Sequence, residues 1–258
     1  MVMRSLRVVG AAILVLSWAS PGQAHFGLIQ PSASMVMQGD NQNLDLTVAF
    51  CHPFEQKGMD MARPKAFGVM TEGQKTDLTK ALTETKVLDQ AGWKTTYALK
   101  KPGVYTFYLE PQPYWEGAED KYIIHYTKAY TAAFGAEEGW DKEVGLKTEI
   151  VPLTRPFGLY TGNVFTGVVK LKGKPVPFAE VEVEYWNAGS QAKAPNDYFV
   201  TQVLKADANG VFTYAVPRAG WWGFAALSTE KQAIKHTDGK KKDAELGAVL
   251  WVEFVEGK

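Results

Sequence analysis

The sequence predicts an all-β protein made of two β-sandwich domains, and three observations carry that expectation. Short segments alternate apolar and polar side chains with the period of a half-buried strand. Gly, Pro and Asn turn signals separate these segments at regular intervals. Finally, prolines 152 and 156 with glycines 158 and 162, in VPLTRPFGLYTGN, interrupt the pattern and divide the strands into two sets. Only TDLTKALTETKVLDQ (76–90) has helix-like composition, which its β-branched threonines weaken.

Taken in order, the chain begins with the pattern of an export leader. Arg4 and Arg7 precede the apolar run VVGAAILVLSWA, and PGQA ends on small residues. The run is short for a spanning helix, and cleavage after Ala24 is expected. That leaves a mature chain of 234 residues beginning at His25, with 26 basic and 28 acidic side chains. The near-balance carries no nucleic-acid footprint. Cys51 is the single cysteine, so no intramolecular disulfide forms and an exported chain relies on packing by its many aromatic residues. A periplasmic location is the expectation.

In the expected first domain (25–152), NLDLTVAF places Leu44, Leu46, Val48 and Phe50 on one face. His52 falls in phase with them, at or over the rim, while Cys51 points the other way. WKTTYALKKPGVYTFYLEP reads as strand, Pro-Gly turn, strand, with Tyr105 placed to hydrogen-bond backbone at the corner. KYIIHYTKAYTAAF is a further strand, in which His125 alternates away from Tyr122, Ile124 and Tyr126. In the expected second domain (153–258), VFTGVVKLKGKPVPFAEVEVEYWN gives two strands around a Gly-Lys-Pro turn. ADANGVFTYAVPRAGWWGFAAL gives two more, and GAVLWVEF closes the chain.

Metal chemistry enters with His25. A free α-amine and the imidazole Nδ1 of one residue close a six-membered chelate, and such neutral nitrogen donors suit Cu(II), Ni(II), Co(II) or Zn(II). A processing site that happens to precede a histidine is the plainer reading.

The set HF at the mature start, HPFE, PGVYTFYLEPQPYW, DKYIIHYTK, LTRPFGLYTGNVFTGVV and GKPVPFAEVEVEYWN resembles the DUF4198 family of exported bacterial proteins. The similarity is greatest to members that resemble the periplasmic nickel-binding component of energy-coupling-factor nickel and cobalt importers. The second half also resembles transthyretin-like or carboxypeptidase-regulatory (Ig-like) sandwiches. The resemblance implies a metal site that combines His25 with further imidazoles, and a nickel/cobalt importer in the inner membrane as partner.

His25, His52 and His125 are therefore the candidate ligands for Ni2+, with Co2+ or Cu2+ as alternatives. For His52 a backbone-capped strand end competes with ligation, and for His125 a core histidine bonded to a carbonyl. Glu55 is a possible outer partner of His52, or an exposed loop carboxylate. His236, in IKHTDGKKK, is a solvated turn unless a domain interface brings it close. Met35, Met37, Met59 and Met61 are potential thioether donors or ordinary packing, and PQPYW and GWW read as seals on sandwich ends. No GxSxG, HExxH, GxGxxG or P-loop pattern occurs. The expectation is a non-enzymic periplasmic metal carrier. Its alternatives are a copper oxidase of the histidine-brace kind and a metal-free adhesion or assembly module.

Overall fold

Apart from three short 3-10 turns, regular structure in the computed structural model, which describes residues 24–257, is all strand. Among these residues no helix is long and apolar enough to cross a membrane. The expected leader, Ala24 excepted, lies outside the described residues.

The alternating segment forms strand Asn43–His52, flanked by Phe26–Pro31 on one side and Gln90–Ala98 on the other. Thr83–Val87 and Lys57–Met59 complete this five-stranded sheet. An eleven-stranded sheet runs through Gln202–Lys205, Glu180–Tyr185, Gly220–Lys235, Lys241–Val255, Lys121–Ala133, Gly103–Glu110, Ala66–Thr71 and Gln74–Asp77, with three short strands at its sides. A four-stranded sheet, Thr148–Pro152, Val164–Leu171, Lys174–Pro175 and Val211–Ala215, completes the molecule.

The large sheet is the middle layer of an all-β sandwich. On one face, Ala225, Val249 and Trp251 pack with Phe26, Leu28, Val48 and Phe107. On the other, Val183, Phe224, Leu250 and Val252 pack with Phe165, Val169 and Phe212. Burial on both faces explains why the closing strand reads as an unbroken apolar run rather than an alternation. Each core draws on both sides of position 152: Ala225, Val249 and Trp251 belong to the first, and Val104, Tyr130 and Ala132 to the second. Strand Lys121–Ala133 of the first half pairs in parallel with Lys241–Val255 of the second, from Tyr122 opposite Ala244 to Ala129 opposite Trp251.

Residues 76–90 depart from their helix-like composition. They form the end of strand Gln74–Asp77, a single 3-10 turn at Thr79–Ala81, and strand Thr83–Val87. Leu88 and Asp89, both at positive φ (51° and 64°), then turn the chain into Gln90–Ala98. β-Branched Thr83 and Thr85 prefer the pleated surface, and this two-residue turn gives them a partner strand at once. The Tyr105 hydroxyl donates to the Lys101 carbonyl at 2.8 Å, closing the Pro-Gly corner as its position predicts.

Candidate metal centre

Pairing of Phe26–Pro31 with Asn43–His52 sets Phe26 opposite Cys51, and one more step of that register sets His25 opposite His52. Their rings lie 4.7 Å apart between centroids. Both histidines are buried. Phe26 is the anchor: it is fully buried and meets Trp251 edge-on at 5.9 Å, while the Trp251 indole N–H donates to the Gly27 carbonyl at 2.8 Å.

Gly27 lets this strand lie directly on Lys121–Ala133. A Cβ there would sit 2.2 Å from Thr127 Oγ1 and 3.1 Å from the His125 carbonyl oxygen. The crossing brings His125 to the same region as His25 and His52. Phe50 stands between them, stacked on His25 at 5.6 Å and edge-on to His125 at 5.7 Å. Among the described residues, no three His, Cys, Asp or Glu side chains already surround one ion position. The three imidazoles are gathered, and Phe50 divides them.

Each imidazole has one nitrogen accounted for. His25 Nε2 faces Glu116 Oε2 at 3.4 Å, and His125 Nε2 faces Glu245 Oε1 at 3.4 Å. A carboxylate only accepts, so the hydrogen bond between His125 Nε2 and Glu245 puts a proton on that nitrogen, whereas the approach of His25 Nε2 to Glu116 is an ionic contact without hydrogen-bond geometry. His125 Nδ1 is buried without a hydrogen-bond partner. His52 Nδ1 donates to the Ala24 carbonyl at 2.9 Å.

Electrostatics favour unprotonated rings at His25 and His52. Burial, then the charges of His52 and His125, pull His25 down to about 4 against the pull of Glu116 and Glu245. Burial also lowers His52, opposed by its bond to Ala24 and by Glu55. Although burial opposes its charge, facing His125 and Lys121 hold the Glu245 carboxyl down at about 2. Burial, with Glu184 nearby, pushes the Cys51 thiol up, which removes it as a ready thiolate ligand.

Residues of the second half hold the HPFE turn. The Phe54 amide donates to Glu184 Oε2 at 3.2 Å, and the Asn187 side-chain amide donates to the Phe54 carbonyl at 3.0 Å. The Asn187 backbone amide donates to the Pro53 carbonyl at 3.3 Å. Gly247 seats His125: a Cβ at 247 would lie 2.4 Å from the ring's Cδ2 and 2.6 Å from Nε2.

His236 is not brought to the other three. Its Nδ1 lies 2.9 Å from the Tyr122 hydroxyl and its ring packs on Trp115 at 4.0 Å. Tyr122 belongs to the opposite face of the sheet from His125, with Ile124 and Tyr126. Exposed Glu55 acts on His52 through its charge. Met35 and Met37 are exposed, whereas Met61 is buried beside His125 in a shared cavity. Trp221 and Trp222 are packed as expected, but Pro111, Gln112, Pro113 and Tyr114 line that cavity. Glu116 and Glu245 are the residues that strand periodicity missed, because their roles depend on pairings between distant strands.

The family model "Domain of unknown function (DUF4198)" matches residues 22–230. The chain belongs to the DUF4198 family. The matched span contains His25, His52, His125 and Glu116, and stops short of Glu245. No curated protein matches this DUF4198 chain. Among solved structures it is similar to the D0-D1 domain of intimin, at 13% identity over 90% of this chain and 100% of that one, with a TM-score of 0.23. It is also similar to native α-2-macroglobulin of E. coli, at 9% identity over 90% of this chain and 14% of that one, with a TM-score of 0.25. A two-domain fibronectin type III segment of chicken tenascin gives 12% identity over 88% of this chain and 99% of that one, with a TM-score of 0.22. Likenesses at this level say nothing of function.

Proposed function

We propose that this protein is an exported carrier of Ni(II) or Co(II), binding the ion as cargo through a mature N-terminal His25 together with His52 and His125. The observation that carries the reading is the hydrogen bond from His52 Nδ1 to the Ala24 carbonyl. The His25 nitrogen is bonded to that carbonyl carbon, so peptide geometry keeps it within about 5.5 Å of His52 Nδ1. Cleavage after Ala24 would create an amine at that place and release the His52 nitrogen in the same step.

The remaining contacts fit ligation through Nδ1. Glu245 receives the Nε2 proton of His125, and Glu116 stands 3.4 Å from His25 Nε2, placements that fit the outer partners of ligating imidazoles. His25 then supplies amine and Nδ1, His52 the released Nδ1, and His125 its unpartnered Nδ1 once Phe50 turns aside. Nitrogen donors of this kind match Ni(II), Co(II) and Cu(II) over Ca(II) or Mg(II). The protein supplies affinity, and release to an importer in the inner membrane completes the proposed role.

The test is purification of the processed protein from the periplasm, with measurement of its metal content and of Ni(II) affinity in the His52→Ala and His125→Ala variants. Weaker binding with the fold retained supports the ligand set, and wild-type affinity in both removes these residues from it. Reductant-dependent oxygen consumption by the copper-loaded protein, abolished by His25→Ala, would replace the carrier with a copper oxidase.

A further inference from the structure

A cleft of about 420 Å³ lies where the HPFE turn meets the loop after Trp186 and the turn before Gly220. Its size falls within the roughly 300–1,000 Å³ of small-molecule sites. Phe54, Tyr185, Phe199, Tyr214 and Trp222 give it aromatic walls, and Tyr185 meets Trp222 at 5.2 Å between ring centroids. The walls are tied together by a buried side chain. The Asn187 amide donates to the Phe54 and Ala192 carbonyls, both at 3.0 Å, and accepts from the Ala192 N–H at 2.8 Å. Across the cleft, the Trp222 indole N–H donates to the Arg218 carbonyl at 3.0 Å, and Gly220 leaves room for the Tyr185 ring, whose Cε2 a Cβ at 220 would meet at 2.7 Å.

The charged side chains lining this cleft are both cationic, Lys193 and Arg218. Neither pairs with a carboxylate among the described residues. The Arg218 guanidinium carbon lies 5.5 Å from the Tyr185 ring centroid, a stacked placement from which a planar fork can meet a carboxylate. Glu55, Glu184 and Asp197 neighbour wall residues in sequence, but none of them lines the cleft. The Tyr214 hydroxyl donates to Gln202 Oε1 at 2.7 Å, so what the Gln202 amide has left to offer is N–H. We propose that this cleft binds an aromatic carboxylate, its ring against the aromatic walls and its carboxylate on Lys193 and Arg218, with the Gln202 amide as a neutral donor. A sugar carries many hydroxyl donors and calls for acceptors, yet no Asp, Glu or Asn lines the cleft. Donor-rich polar groups set among aromatic walls favour an acceptor on an apolar ring instead.

The inference does not need the metal reading, and the test is made on the metal-free protein. 2-Naphthoate and its neutral analogue 2-naphthamide are titrated by calorimetry, with NMR to locate them. 2-Naphthoate is expected to saturate and to bind about tenfold more tightly than the amide through charge-assisted hydrogen bonds. That advantage should shrink as salt is raised, and the ring protons should show contacts to the Ala194 and Val200 methyls, which line the cleft. Lys193 and Arg218 are exposed, and in the Lys193→Gln, Arg218→Gln double variant the preference for the acid should vanish while 2-naphthamide binding stays. Should that variant not fold, the wild-type preference, its salt dependence and the methyl contacts decide alone. Equal affinities, no saturation, contacts elsewhere, or a preference that survives the double substitution overturn the site. Glucuronate binding as tightly as 2-naphthoate overturns the aromatic assignment. Ni(II) binding, measured in a separate titration, bears on the carrier reading alone.

Discussion

The Ala24 carbonyl accepts a hydrogen bond from His52 Nδ1 at 2.9 Å, so the peptide expected to be cut is bound to a candidate ligand. Any residue retained before His25 keeps the amine blocked and His52 occupied. A chain beginning at His25 should bind Ni(II) or Cu(II) more tightly than one with residues left in front. The difference should exceed the roughly 10–100-fold typical of losing an outer partner, as measured by calorimetry on both chains.

Phe26 holds the residue before it in place. Phe26→Ala leaves a void against Trp251 and should lower unfolding stability by about 3–5 kcal/mol. Since His25 is directed by that anchor, Ni(II) affinity should fall as well, even at temperatures where the variant is folded. Denaturant unfolding and metal titration on the same sample check both.

Gly247 leaves room for the His125 ring and nothing more. Gly247→Ala should displace the imidazole from Glu245, and Glu245→Gln should remove the negative charge facing it while leaving the space. Both should weaken Ni(II) binding, with Glu245→Gln in the roughly 10–100-fold range of outer-partner losses. Imidazole NMR resonances should shift in each, and unchanged affinity in both would take His125 out of the site.

Parts of this arrangement are legible in the sequence. Strand alternation puts His52 on the face shared with Phe50, and the HF start marks His25 beside an apolar anchor. Long-range register is not legible, because a parallel pairing between residues over a hundred positions apart leaves no local period. That pairing places Glu245 beside the strand of His125, and the same topology sends His236 to the reverse face. Phe50 reads simply as core, and its position between two imidazoles follows only from the crossing of strands at Gly27. The helix-like stretch at 76–90 fails because composition is a weaker constraint than an adjacent strand that completes its hydrogen bonds.

Glu184 gives a pH dependence of known sign. Burial raises its carboxyl to about 8, against hydrogen bonds from Thr201 and the Phe54 amide. The folded state therefore holds a proton that the unfolded chain releases near the usual carboxylate value of about 4.5. The stability linked to that proton is fully present below about 4.5 and is lost as pH rises through about 8. Glu184→Gln should remove that loss, so its stability relative to wild type should improve by a few kcal/mol between about pH 5 and pH 9. Urea unfolding across that range measures it, and parallel curves for the two proteins would contradict the assignment.

The central claim is that His25, as a terminal residue, completes a nitrogen site with His52 and His125. Its most direct test is Ni(II) titration of the chain beginning at His25, followed by calorimetry and by the visible absorption of the bound ion. The account predicts one ion per chain, nitrogen-dominated absorption, and loss of tight binding in His25→Ala. Failure to take up Ni(II), Co(II) or Cu(II) saturably, or undiminished binding in His25→Ala, would contradict it.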